Sequence, residues 1–133
     1  MKKKNKKLTH TFRHLEGPWC DVDYKMLHAC FDFLCDFVEK EKGLEMLEYQ
    51  YDYWRKLNAK ERLLMGMTRE QGRKQAKQAK FHWEETRGLY DWWTKIFIPL
   101  NESGSYLGMS KAETDFENKQ LIRLINIRLT LWT

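Results

Sequence analysis

The sequence predicts an all-α fold, a small helical bundle with two long helices, a hydrophobic C-terminal helix and shorter connecting helices. Three observations predict it. Apolar residues recur at helical spacing through most of the chain. Three segments open on Asn, Thr or Ser with Glu or Gln three residues later, the signature of a capped helix start. Only one short segment alternates as a strand would, and a lone strand leaves its backbone groups unpaired. At 133 residues the chain suits one domain, able to bury roughly two-thirds of its unfolded surface.

The elements follow in order. Residues 1–15 carry Lys2, Lys3, Lys4, Lys6, Lys7 and Arg13 with no acid, and read as a disordered basic tail ahead of a single helical domain over 16–133. Gly17-Pro18 marks a turn, after which Asp21 or Asp23 can cap a first long helix near residues 21–42. Its buried face runs Leu27, Phe31, Leu34 and Val38, widened by Tyr24, Cys30, Cys35 and Phe37. Lys25, His28, Asp32, Asp36 and Glu39 gather on the opposite face, where His28 and Asp32 are expected as a solvated i, i+4 ion pair. Gly43 stops or bends this helix.

Residues 44–57 contain the alternating Tyr49, Tyr51 and Tyr53, yet Leu44, Leu47, Tyr51 and Trp54 fit a helix, and helix is the reading taken. Asn58 with Glu61 opens a short helix that Gly66 ends, and Thr68 with Gln71 opens the second long helix, near 69–98. Its seam is Gly72, Ala76, Ala79, Trp83, Tyr90, Trp93 and Phe97, and Pro99 is expected to end it by forcing its predecessor out of the helical region. Ser110 with Glu113 opens a final helix to Trp132, so apolar in its second half that it is either central to the bundle or half of an interface with a second copy, a homodimer.

The adjacent pair Trp92-Trp93 cannot fill one seam, because neighbouring helical residues point about 100° apart. Trp93 belongs to the seam. Trp92 falls on a second apolar face with Phe81 and Ile96, beside a charged stripe that includes Arg87. Another helix of the chain covering Trp92 is one reading. The other is a partner-binding patch of Trp92, Phe81, Ile96 and Arg87, since tryptophan beside arginine is common in interface hot spots.

Charge is segmented. Residues 19–53 carry nine acids against Lys25, Lys40 and Lys42, whereas 55–80 carry nine bases against Glu61 and Glu70. The two segments either face each other or leave a basic patch exposed. In the second case Arg69, Arg73, Lys77 and Lys80, at i, i+4, i+8 and i+11, make a stripe suited to phosphates, with the lysine tail adding to it. No helix-turn-helix, zinc-finger or RNA-recognition pattern accompanies it, so the reading is of nonspecific nucleic-acid binding.

Catalytic and metal signals are weak. His82-Trp83-Glu84-Glu85 lacks both the H-E-x-x-H and E-x-x-H spacings, so no metal is expected there. Glu45 and Glu48 form an E-x-x-E without the second acidic pair that magnesium-dependent nucleotide hydrolysis requires. Gly104 to Gly108 lacks the Gly-Lys-Ser/Thr ending of a phosphate loop. No catalytic residue and no cofactor is assigned. Cys20, Cys30 and Cys35 form no CxxC pair, and no apolar run is long enough for a signal core or a membrane span, so a reduced, cytoplasmic protein without membrane partners is expected.

Two blocks, 21–31 continuing through Phe37-Val38-Glu39-Lys40-Glu41, and Leu89-Tyr90-Asp91-Trp92-Trp93-Thr94, resemble a family of short uncharacterised proteins encoded by tailed bacteriophages. The aromatic block of that family is often followed by Arg-Pro, whereas Ile98 precedes the proline here. The resemblance implies a viral source and a host-cell cytoplasmic setting, and no catalytic residue. The combined expectation is a small non-enzymatic phage protein that binds a host or phage macromolecule, most readily a protein, and acts on host physiology or defence. Nonspecific nucleic-acid binding is the alternative.

Overall fold

The computed structural model describes residues 22–104 and 110–131, and among them every regular element is helical. Helix α1 spans Val22–Glu39, α2 Gly43–Lys56, α3 Ala59–Leu64 and α4 Arg69–Asp91. A π-helical turn, Trp92–Phe97, carries α4 into α5, Ile98–Glu102. Helix α6, Lys111–Asn126, ends in a 3-10 turn, Arg128–Leu131. The architecture is the all-α bundle expected. The basic tail, the Gly17-Pro18 turn, Asp21, Cys20, most of the 104–108 connection and Trp132 lie outside the described residues.

Local chemistry sets the helix starts. Asn58 accepts from the Glu61 amide at 2.8 Å, and Ser110 from the Glu113 amide at 3.1 Å. Thr68 and Gln71 form a reciprocal capping box at the head of α4, each side chain accepting from the other's backbone amide. Gly66, at φ 66°, closes α3 in a left-handed turn that suits glycine.

The core forms where α1, α4, the π turn and α6 meet. Leu27, Phe31 and Leu34 of α1 pack with Leu89, Trp93, Phe97, Leu124 and Ile127. Trp93 lies between two phenylalanines, Phe31 at 4.5 Å and Phe97 at 4.6 Å between centroids, with interplanar angles of 12° and 11°. Helix α2 packs along the first half of α4, where Tyr51 stacks on Trp83 at 5.9 Å. This is the small-residue seam of Gly72, Ala76 and Ala79 expected from the sequence.

Four expectations are corrected. Pro99 does not end the second long helix, which runs on to Glu102. The π turn explains this: its wider i→i+5 bonding, seen as the Ile98 amide reaching the Trp93 carbonyl, makes room for the pyrrolidine ring at the start of a new α segment. Thr94 Oγ1 donates to the Tyr90 carbonyl at 2.8 Å within the same turn. Secondly, α1 stops at Glu39, and the left-handed residue after it is Lys42, at φ 53°. Gly43 begins α2 and is glycine because of space, since a Cβ there would lie within 2.2 Å of the Phe37 ring.

Thirdly, the polar face of α1 is not solvated: His28, Asp32 and Asp36 are 0%, 2% and 3% exposed. Trp93 and Phe97 are wide enough to spread across the polar stripe, meeting the His28 ring edge-on at 4.8 and 5.9 Å. Asp36 also takes Lys40 at 3.3 Å. Fourthly, α6 is central along one face only. Leu124 and Ile127 are buried, while Ile122, Ile125 and Leu129 face outward.

Candidate functional site

Two surfaces gather the residues singled out by sequence. The first is an apolar groove of about 310 Å³ between the π turn with α5 and the start of α6. Trp92, Ile96, Leu100, Ala112 and Phe116 line it, with Glu113 its one charged lining residue. Trp92 is half-buried and shares ring contacts with Phe31 at 5.4 Å, Phe97 at 5.2 Å and Phe116 at 5.8 Å. A helix of the same chain therefore covers part of Trp92, and the remainder forms a groove wall.

Of the four residues expected to form one patch, the structure brings together Trp92 and Ile96. Phe81 is 51% exposed but sits three helical turns upstream, tilted against His82 at 5.8 Å. Arg87 lies over the Trp83 ring at 5.0 Å, a cation–π contact, and does not line the groove. Distance along the axis separates them: at about 1.5 Å per residue, Phe81 stands roughly 16 Å up the helix from Trp92. Leu100 and Phe116 complete the groove and were not singled out. Leu100 sits beyond Pro99, where a helix end was expected, and Phe116 is a lone aromatic in the polar first half of α6.

The second surface is basic. Arg69, Arg73, Lys77 and Lys80 are all exposed along α4, and among the described residues no salt bridge joins them to the acids of α2. Lys80 takes Glu84 on its own helix at 3.8 Å. The acidic and basic segments pack side by side through aromatic and small residues instead.

Arg69 and Arg73 also open onto a cavity of about 300 Å³ at the junction of α2, α3 and α4, which Arg55, Arg62 and Trp54 share. The Arg62 Nη1 donates to the Leu57 carbonyl at 3.0 Å, which closes the end of α2 and fixes the guanidinium over α4. Gly72 permits this, since a Cβ there would stand 2.9 Å from the Arg62 Cδ. No spacing rule would pair Arg55 and Arg62 with α4: the turn at Leu57-Asn58 folds them onto it.

The buried His28 offers no face to a substrate, so the α1 polar residues belong to the core rather than to a reaction site. Among the described residues no three His, Cys, Asp or Glu side chains gather closely enough to hold a metal ion. No described helix is long and apolar enough to cross a membrane. Comparison with family models, with curated proteins and with solved structures gives no match.

Proposed function

We propose that this chain is a small non-enzymatic phage protein that binds a protein partner of the host or phage in the infected cytoplasm, and so acts on host physiology or defence. The observation that carries the binding reading is the groove at Trp92. A cavity of about 310 Å³ walled by two helices and lined almost wholly by apolar side chains suits one or two large apolar residues of an amphipathic helix. The source and setting rest on the resemblance of the two blocks to phage proteins.

The test is affinity capture from host cells, followed by a binding isotherm with the purified prey. Ile96→Glu lies on the groove wall at 52% exposure and should abolish binding while leaving the helical circular dichroism spectrum intact. Trp92→Ala should weaken the same complex. Prey that binds both variants as tightly as wild type would sink the reading. A second reading, nonspecific nucleic-acid binding, is favoured by the exposed Arg69, Arg73, Lys77 and Lys80, and predicts affinity that falls steeply with salt.

A further inference from the structure

We propose that the cavity at the α2–α3–α4 junction is a discrete site for the phosphate of a nucleotide, held by Arg62, Arg69 and Arg73 with Trp54 beside the base. The site lies on a different surface from the Trp92 groove and does not depend on it. It also differs from a diffuse basic face, because it recruits Arg62 and Trp54 from outside the α4 stripe and leaves out Lys77 and Lys80.

Charge is the first argument. Four guanidiniums line one cavity of about 300 Å³, and no carboxylate is part of its wall. Arg55 is already engaged, by Asp52 at 2.8 Å and by the Tyr51 ring at 5.6 Å. Arg62, Arg69 and Arg73 have no acidic partner among the described residues, which leaves their charge open to an anion. A carboxylate would bring one charge and occupy one guanidinium fork. A terminal phosphate brings up to about two charges and three acceptor oxygens, which matches three guanidiniums.

Placement is the second argument. Arg62 is pre-positioned by its bond to the Leu57 carbonyl, so little freedom is lost when it binds. Arg69 and Arg73 are one turn apart on α4 and project from its first two turns, where the helix dipole adds positive potential. The rest of the wall is apolar: Trp54, Leu57 and Ala76. A planar base against an indole is worth about 1–3 kcal/mol in nucleic-acid complexes. A phosphate joined to a planar base therefore fits both halves of the cavity, whereas inorganic phosphate fits one.

The same chemistry reaches the site from two sources, a free nucleotide or a single-stranded polynucleotide, and calorimetric titration of the whole chain at low salt separates them. The probes are pyrophosphate, adenosine triphosphate and a short single-stranded oligonucleotide. Wild type should bind at least one of the last two, and Arg69→Gln and Arg73→Gln should each weaken it about tenfold, as expected for one charge-assisted contact. Both residues are exposed, so the variants should keep the wild-type melting temperature. Binding of the triphosphate assigns the site to free nucleotides, and binding of the oligonucleotide alone assigns it to a strand. Lys77→Gln and Lys80→Gln, outside the cavity, should cost far less. Absence of binding by all three probes overturns the proposal. So does equal loss on the lysine and arginine variants, which would return the basic face to diffuse binding. An advantage of the triphosphate over pyrophosphate that survives Trp54→Leu overturns the placement of the base.

Discussion

Arg123 grips Glu85 with both arms of its guanidinium, Nε to Oε1 at 2.5 Å and Nη2 to Oε2 at 3.0 Å, and so ties α6 to α4. The third nitrogen donates to Gln120 at 2.6 Å on α6 itself, which holds the fork in place. The hydrogen bond to Glu85 is the main reason the Arg123 guanidinium is held above its ordinary pKa. The pairs Asp36–Lys40, Asp52–Arg55, Lys80–Glu84 and Asp91–Lys95 join residues three or four apart in sequence and contribute little. Glu85→Gln keeps the shape and removes the charge. Because both groups are part-exposed, the loss should be about 1 kcal/mol, or roughly 3–5 °C in melting temperature for a domain of this size. A variant that melts with wild type would show that packing alone docks α6.

The two tryptophans should separate cleanly by mutation. Trp93 is buried between Phe31 and Phe97, so Trp93→Ala should cost about 3–5 kcal/mol and unfold much of the population near physiological temperature. Trp92 is half-buried and leaves part of its ring in the groove, so Trp92→Ala should cost about 1–2 kcal/mol. Urea midpoints measure both. Equal losses would mean that Trp92 is core and that the groove is an extension of it.

What the sequence made legible were the features that neighbouring residues decide. Thr68 and Gln71 satisfy each other's amides whatever surrounds them, so the start of α4 is written in four residues. The same holds for Asn58 and Ser110. Trp93 was legible because it continues a seam that starts at Gly72. The π turn was not, because nothing in Trp92–Phe97 lacks helix propensity, and the stacking of Trp93 between Phe31 and Phe97 that accompanies the wider turn is tertiary. Past it the helix continues beyond Pro99, which brings Leu100 to the groove. The burial of His28 was equally hidden, since periodicity assigns polar residues outward and cannot see how far an indole reaches. Arg55 and Arg62 meet Arg69 and Arg73 only through chain reversal, which leaves no periodic trace.

Gly43 and Lys42 make opposite predictions one residue apart. Gly43→Ala drives a methyl into the Phe37 ring, which is itself buried, so the ring cannot swing away and the cost should be about 2–3 kcal/mol. Lys42 holds a left-handed φ of 53° at the head of α2. Lys42→Gly removes that strain and, after the extra entropy of an unfolded glycine, should stabilise by about 0.5 kcal/mol. Guanidinium unfolding of both would show the pattern. A destabilised Lys42→Gly would mean that the lysine side chain itself holds the turn.

Burial pushes the His82 imidazole below its ordinary value of 6.5. The unfolded chain then takes up this proton at higher pH than the folded one. The resulting destabilisation is absent above pH 6.5, sets in as pH falls through that value, and is complete below the folded pKa. His82 is only half-buried, so the effect is small and direction is the test. A two-dimensional NMR titration should place the ring midpoint below 6.5, and His82→Gln should flatten stability against pH in this window. A midpoint at or above that value would show that the ring is solvated.

Thr86 sits fully buried in the middle of α4, with its hydroxyl finding no hydrogen-bond partner among the described residues. Exchange of a buried threonine for valine normally removes a made hydrogen bond and destabilises. Here no bond is lost. The valine keeps the branched shape and the helix propensity, and a desolvated hydroxyl disappears, so Thr86→Val should raise stability by about 0.5–1 kcal/mol. Thr86→Ser keeps the hydroxyl and deletes the methyl, leaving a small void against the core, and should lower stability by about 1 kcal/mol. The sign of the difference between the two is the informative quantity, read from urea midpoints at constant m. If valine proves the less stable of the pair, the hydroxyl is bonded in solution, and the core at this point holds an ordered water rather than dry packing.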